Sequence, residues 1–252
     1  MTARLARRLL VAAVILGLWE FVRRAGLVSA VILASPSEIY LAFLSSGSEF
    51  LLAFRVTLGE IAVAIVIAWT LGLIAGLFLG TAAYAAAVIG PLLSSLFAIP
   101  LITWYPLLMI WLGIGSTSKI AYAALSGFFP IVLNTLNGVR QLDRQYVRFG
   151  RSIGCSHLAI LFKIMLPLAL PSVLSGLRIG TALIVIGVIV TEMLASVGGI
   201  GFWITYHRNL YDTGQVYLGI LLSLICVLVV NLTLSRVERR FGAWRESEAL
   251  ER

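Results

Sequence analysis

Charge is scarce in this chain. Only 12% of its 252 residues are Asp, Glu, Lys or Arg, against roughly 25% in soluble domains. So little charge cannot clothe a water-facing surface, which excludes an ordinary soluble domain. Acids are scarcer than bases, 11 against 19, for a net charge of +8. The bases gather in loops and at the ends, and no apolar stretch carries an aromatic and basic stripe, so nucleic acid is not an expected partner. The two cysteines, Cys155 in a polar loop and Cys226 in the last apolar stretch, suggest neither a disulfide nor a metal site. No His, Cys and Asp cluster has metal-ligand spacing, so no metal is expected. There is no Gly-x4-Gly-Lys-Ser/Thr run, so the chain itself should bind no ATP. Serines and threonines in the apolar stretches lack a paired base. No catalytic residue, cofactor or enzymatic activity is expected of this chain.

What is present is grease. Hydrophobic residues make up 60% of the chain, and mean hydropathy is +1.03. A bilayer core takes roughly 20 apolar residues per helix. The expectation is an all-α membrane protein with about six transmembrane helices in one domain over 1–252. The spans fall near 8–27, 54–80, 88–113, 119–138, 171–195 and 217–235. The first reads as uncleaved, because Glu20, Arg23 and Arg24 separate its apolar run from the cleavage-like Val28-Ser29-Ala30. Thirteen of the nineteen bases then lie on one side with both termini; the positive-inside rule makes that side cytoplasmic. Lys119 falls to an outer loop in this count.

Between the first two spans, Ser35-Pro36-Ser37-Glu38 reads as a capping box opening a short helix. That helix is expected to lie along the outer interface. Gly72, Gly76 and Gly80 share one face at four-residue spacing, which favours close helix packing. Gly90-Pro91 is expected to begin the third span, and Pro100 and Pro106 fall inside it.

The polar stretch from Arg140 to Pro171 organises the rest. It carries Arg140, Arg144, Arg148, Arg151 and Lys163 against one acid, Asp143. Its charges cannot sit in hydrocarbon. It is long enough for two short helices with Gly154 as the break. Leu158, Leu161, Phe162 and Met165 recur at helical spacing and predict one apolar face. Pro167 is expected to end that helix, and Pro171 to open the next. The stretch reads as a basic, partly apolar docking knob.

Gly154, nine residues, then Ile164-x-Leu166-Pro167 resembles the EAA loop of ABC importer permeases of type I, the binding-protein-dependent inner-membrane components. The pattern is Glu-Ala-Ala-x-x-x-Gly-x9-Ile-x-Leu-Pro. Its triplet falls on Arg148, Phe149 and Gly150, which depart from it and reverse a charge. The runs SPSEI (35–39), WLGIG (111–115), FFPIVLNTLNGV (128–139) and LPLALPSVLSGLRIG (166–180) resemble the nitrate, sulfonate and taurine subfamily. The resemblance implies the type I permease fold and an inner-membrane location. It implies a cytoplasmic coupling helix that docks into an ABC ATPase holding the ATP and Mg, with Arg148, Phe149, Gly150, Gly154, Ile164, Leu166 and Pro167 in the coupling loop. It also implies a second permease copy in a homodimer and a periplasmic or lipid-anchored binding protein. The solute would be a small anion; aromatic acids or vitamin precursors stay open. The rival reading is a secondary carrier or channel without an ATPase.

Five residues are candidates for lining the pathway. Thr103, Trp104 and Tyr105 lie between two prolines that bend a helix and free its carbonyls. The alternative is an ordinary kinked helix. Glu60 and Glu192 are acids in apolar stretches, where ionisable groups mark function by default. The alternatives are that Glu60 pairs with Arg55 or a neighbouring helix, and that Glu192 sits in interfacial water. Arg178 contacts an anion, snorkels to the inner surface or bonds loop carbonyls.

Overall fold

The structure is a computed structural model. It describes the backbone of residues 2–249 and the side chains of 7, 10–143 and 145–236. Expectations that rest on the side chains of Arg4, Arg8, Arg144, Arg239, Arg240 and Arg245, or on Arg252, lie outside the described residues. Those residues form ten α-helices and no strand: α1 (Thr2–Arg24), α2 (Pro36–Thr81), α3 (Ala83–Ala98), α4 (Tyr105–Leu112), α5 (Ser116–Arg140), α6 (Arg144–Ser152), α7 (His157–Ile160), α8 (Leu166–Leu194), α9 (Ile200–Asn209) and α10 (Thr213–Ala249). A 3-10 turn, Leu101–Trp104, precedes α4, and a π segment, Leu161–Met165, joins α7 to α8.

Among the described residues, four helical stretches are long and apolar enough to cross a bilayer: Pro36–Thr81, Ser116–Arg140, His157–Leu194 and Thr213–Arg236. The pair Ala83–Ala98 and Leu101–Leu112, bent by 87°, would make a fifth. The hydropathy reading has six, and the difference is α1. Its apolar run is closed off by Arg7 and Arg8 at one end and by Glu20, Arg23 and Arg24 at the other. Its side chains are greasy and exposed nonetheless, as at Leu10, Val14, Leu18 and Phe21.

Helix boundaries differ from the sequence reading in three places, each at a proline or a serine. The interfacial helix after Pro36 and the span from 54 are one helix, α2, of 46 residues. At 1.5 Å per residue it is about 69 Å long, about twice a bilayer core. Ser46 alone leaves helical geometry, which frees the Ala42 carbonyl. That carbonyl accepts from Gln215 Nε2 at 3.3 Å, while the same nitrogen donates to Ser46 Oγ at 2.7 Å.

The third span is broken. Pro91 does not open a helix but lies within α3. The break is at Ile99, held extended (ψ 134°) by the proline after it, and Pro106 takes the first turn of α4. In contrast, neither Pro167 nor Pro171 interrupts the stretch His157–Leu194. In the π segment the Leu166 N–H already reaches back five residues, to Leu161 O. Pro167 therefore follows where the bonding register has shifted, and the helix absorbs its missing N–H.

The chain divides into two compact units: Met1–Thr57 with Glu192–Cys226, and Leu58–Thr191 with Val227–Arg252. In the first, Ala34, Ile39, Ala42 and Leu218 form a small core against Trp19, Phe50 and Tyr217. The capping box is present in both directions: Glu38 N–H donates to Ser35 Oγ at 3.2 Å, and Ser35 N–H to Glu38 Oε2 at 2.8 Å. Trp19 Nε1 donates to Ala34 O at 2.9 Å.

The second unit is built around α5, whose Ile131, Val132, Leu136 and Val139 are buried. A Cβ on Gly72, Gly76 or Gly80 of α2 would collide with Ile131, Thr135 or Val139 of α5. On its other flank, Gly127 and Gly138 of α5 meet Ile184 and Ser172 of α8, and Gly180 of α8 meets Ile131. Small residues let these backbones approach, as expected of helices that gain nothing from hydrophobic burial in lipid.

Candidate functional site

The knob between α5 and α8 is assembled by local rules. Asp143 caps α6, its Oδ1 accepting from Gln145 N–H at 2.9 Å. Gly154 ends the helix at φ +76°. Cys155 N–H then reaches Gly150 O at 3.0 Å, and Gly154 N–H reaches Arg151 O at 3.0 Å, the two bonds of a Schellman stop. Ser156 caps α7, accepting from Ala159 N–H at 3.2 Å. Gly150 is buried against this returning arm. A Cβ there would lie 2.9 Å from both Ile160 Cγ1 and Ile164 Cδ1. Gly150 and the half-buried Ile164 thereby clamp α6 onto the α7–π segment. Leu166 and Pro167 are half-buried at the start of α8.

The expected single apolar face is split. Leu161 and Met165 are buried, whereas Leu158 and Phe162 are 59% and 51% exposed. Leu158 and Phe162, four apart, lie on one ridge and Leu161 and Met165 on the next, and the edge of the core runs between the two ridges, so one sequence stripe serves two purposes. Leu158 and Phe162 join Tyr146, Phe149 and Ile153 as exposed apolar side chains. Arg148, Arg151 and Lys163 are exposed as well.

The five proposed lining residues are not gathered into one site. Thr103, exposed, donates to Pro100 O at 2.7 Å and closes the bend. Trp104 is half-buried, and its Nε1 has no partner among the described residues. Tyr105 is completely buried, edge-on to Tyr122, with its hydroxyl 3.4 Å from Thr191 O. It packs the core of the second unit.

Glu60 is buried in that same unit and pairs with Lys119 Nζ at 2.6 Å. Arg55 is exposed and is not its partner. Lys119 lies in the first turn of α5, 2% exposed, rather than in an outer loop. The signal was available: one lone Lys opening an apolar helix and one lone Glu inside another.

Glu192, in the first unit, is 1% exposed and not in interfacial water. Its carboxylate accepts from Thr57 Oγ1 at 2.8 Å and from Gly201 N–H at 2.8 Å. Ile200 N–H in turn donates to Thr57 Oγ1 at 2.8 Å. Gly199 adopts φ +101°, and any side chain there would overlap the Glu192 carboxylate. Thr57 and Gly199 escaped the sequence reading, although the run Gly198-Gly199-Ile200-Gly201 marked a tight backbone. Arg178 is exposed on α8.

The family described as binding-protein-dependent transport system inner membrane component matches residues 68–243. The chain belongs to this family. These inner-membrane components include relatives of nearly full length. One is a putative aliphatic sulfonates transport permease protein, SsuC, of Bacillus subtilis (strain 168), 30% identical over 95% of this chain and 87% of the relative. Another is the taurine transport system permease protein TauC of Escherichia coli (strain K12), 29% identical over 92% of this chain and 87% of the relative. Among solved structures, the MetNI methionine ABC transporter, described as inward facing, shares the fold at a TM-score of 0.66 and 18% identity. The match covers 78% of this chain and 98% of that one. The chain is therefore an ABC importer permease and a multi-pass membrane protein.

Proposed function

We propose that this permease forms the path for ATP-driven uptake of a small anion such as a sulfonate, taurine or nitrate, and that the knob of α6, α7 and the π segment receives the ATPase. Two copies of the chain line the path, and a binding protein delivers the solute from outside. With the bent pair and α1 as the fifth and sixth crossings, both termini and the knob face the cytoplasm, where the ATPase holds ATP and Mg. The observation that carries the reading is the knob itself. Five large apolar side chains stand exposed on a short polar connection, while Gly150 is packed against Ile160 and Ile164 behind them. A rigid face of that kind can transmit a push. The sulfonate and taurine relatives support the solute class.

The test is reconstitution in liposomes with the ATPase and binding protein, comparing wild type with Phe149→Asp. Phe149 is 62% exposed, so the fold survives the change. Binding-protein-stimulated hydrolysis and taurine uptake are expected to fall by about ten-fold or more, the weight of an interface hot spot. Unchanged stimulation would remove the knob from coupling. Uptake of a pyrimidine or flavin instead of taurine or nitrate would replace the solute class.

One observation favours the secondary-carrier reading: the buried Glu60–Lys119 pair beside a broken helix pair, features that carriers use for coupling ions. Uptake by the chain alone, without ATPase, would establish it.

A further inference from the structure

We propose that the ATPase surface receiving α6 has two walls: an apolar one against Phe149, and an acidic one whose carboxylates pair with Arg148 and Arg151. The inference rests on the docking role proposed above. Successive helical residues are about 100° apart, and Gly150 marks the side of α6 closed by Ile160 and Ile164. Arg151 and Arg148 then lie about 100° and 160° round from Gly150 in one direction. Phe149 lies about 100° round in the other, with Tyr146 between it and Gly150. All four side chains are exposed. The described surface of α6 thus has a basic side and an apolar side.

Among the described residues no acid neutralises the basic half. Asp143 is the one acid between Arg140 and Pro171, and its Oδ1 is engaged in capping α6. Neither Arg148 nor Arg151 has an ion-pair partner among the described residues. A guanidinium fork matches a carboxylate in geometry as well as charge. A basic or neutral wall would leave two positive charges facing repulsion or desolvation, and charge complementarity selects partners at such contacts.

The experiment uses the full chain in nanodiscs of phosphatidylcholine alone. The probe is the ABC ATPase that purifies with this chain from its own cells, identified by its phosphate-binding loop and then produced recombinantly. Wild-type affinity is expected to fall about five-fold or more between about 50 and 300 mM NaCl, as screening predicts. The variant R148E/R151E is expected to bind about ten-fold or more weakly at the lower salt and to lose most of the salt dependence. An acid-to-Arg change in the ATPase cleft is expected to restore binding to that variant. R148E/R151E binding within about two-fold of wild type, or more tightly, would overturn the acidic wall while leaving docking intact. Unchanged ATPase binding in phosphatidylcholine, together with a wild-type gain in binding on adding phosphatidylglycerol to the nanodiscs that R148E/R151E lacks, would assign the arginines to lipid headgroups and overturn it likewise. No association of the wild-type chain at either salt would overturn the docking role itself, and this inference with it.

Discussion

Glu60 and Lys119 show how a single buried pair sets the terms for its surroundings. Both side chains are under 5% exposed and 2.6 Å apart, so removing either leaves an uncompensated buried charge. Glu60→Gln and Lys119→Met are each expected to cost about 3–5 kcal/mol. The double variant is expected to cost far less than their sum. Thermal unfolding of all four proteins in lipid closes the cycle, and additive losses would show that the pair is not coupled. Gly199→Ala meets two obstacles, a backbone angle that essentially only Gly adopts and the Glu192 carboxylate. A loss of about 1–3 kcal/mol is expected from the backbone alone. His207 offers a pH handle. Burial pushes its imidazole below the usual 6.5, against the opposing pull of Asp212 and Glu49. The unfolded chain then binds the proton more readily than the folded one, so stability falls as pH drops from about 6.5 toward the lowered value. His207→Phe is expected to flatten unfolding curves recorded across that window.

At the scale of elements, helix contacts and helix ends follow different rules. Gly76 of α2 lies where a Cβ would sit 2.8 Å from Val132 O of the neighbouring helix, and that backbone cannot give way. Gly76→Val is expected to cost about 1–3 kcal/mol through overpacking. Gly59, in the same helix, has nothing within 4 Å of a built Cβ, so Gly59→Ala is expected to gain about 0.5–1 kcal/mol. Equal melting of the two variants would contradict the packing. Gly154 is constrained by φ rather than by space, since its Cβ position is also open. Gly154→Asn is therefore expected to preserve α6, and Gly154→Val to unwind its last turn, as amide hydrogen exchange would report.

For the whole molecule the testable matter is sidedness. Cys155 is half-buried in the knob, whereas Cys226 is completely buried. A membrane-impermeant maleimide is expected to label Cys155 in inverted vesicles and not in intact cells, with Cys226 silent in both. Labelling from outside would invert the proposed topology. The docking knob and the proposed solute would then need separate explanations, because an ATPase works only from the cytoplasm.

Local signals were legible in the sequence. The capping box at Ser35 and Glu38, the Gly154 stop and the close-packing glycines of α2 each depend on a few neighbouring residues, and each is present. The resemblance carried by Gly154, Ile164, Leu166 and Pro167 led to the family, because fixed spacing survives in sequence. What depended on distant residues was not legible. Whether Pro167 breaks a helix turned on a bonding register set five residues earlier. Whether Leu158 and Leu161 are buried together turned on where the edge of the core falls across the stripe. Lys119 counts as a loop charge until α5 folds and presents it to Glu60, and Glu192 counts as a surface acid until Thr57 and Gly201 surround it. Hydropathy and caps act along the chain, and they suffice for a helical membrane protein with a basic knob between two apolar helices. Burial and ion pairing act through space, so the pairing of Glu60 with Lys119 and the exposure of Phe149, Leu158 and Phe162 emerge only when the helices pack.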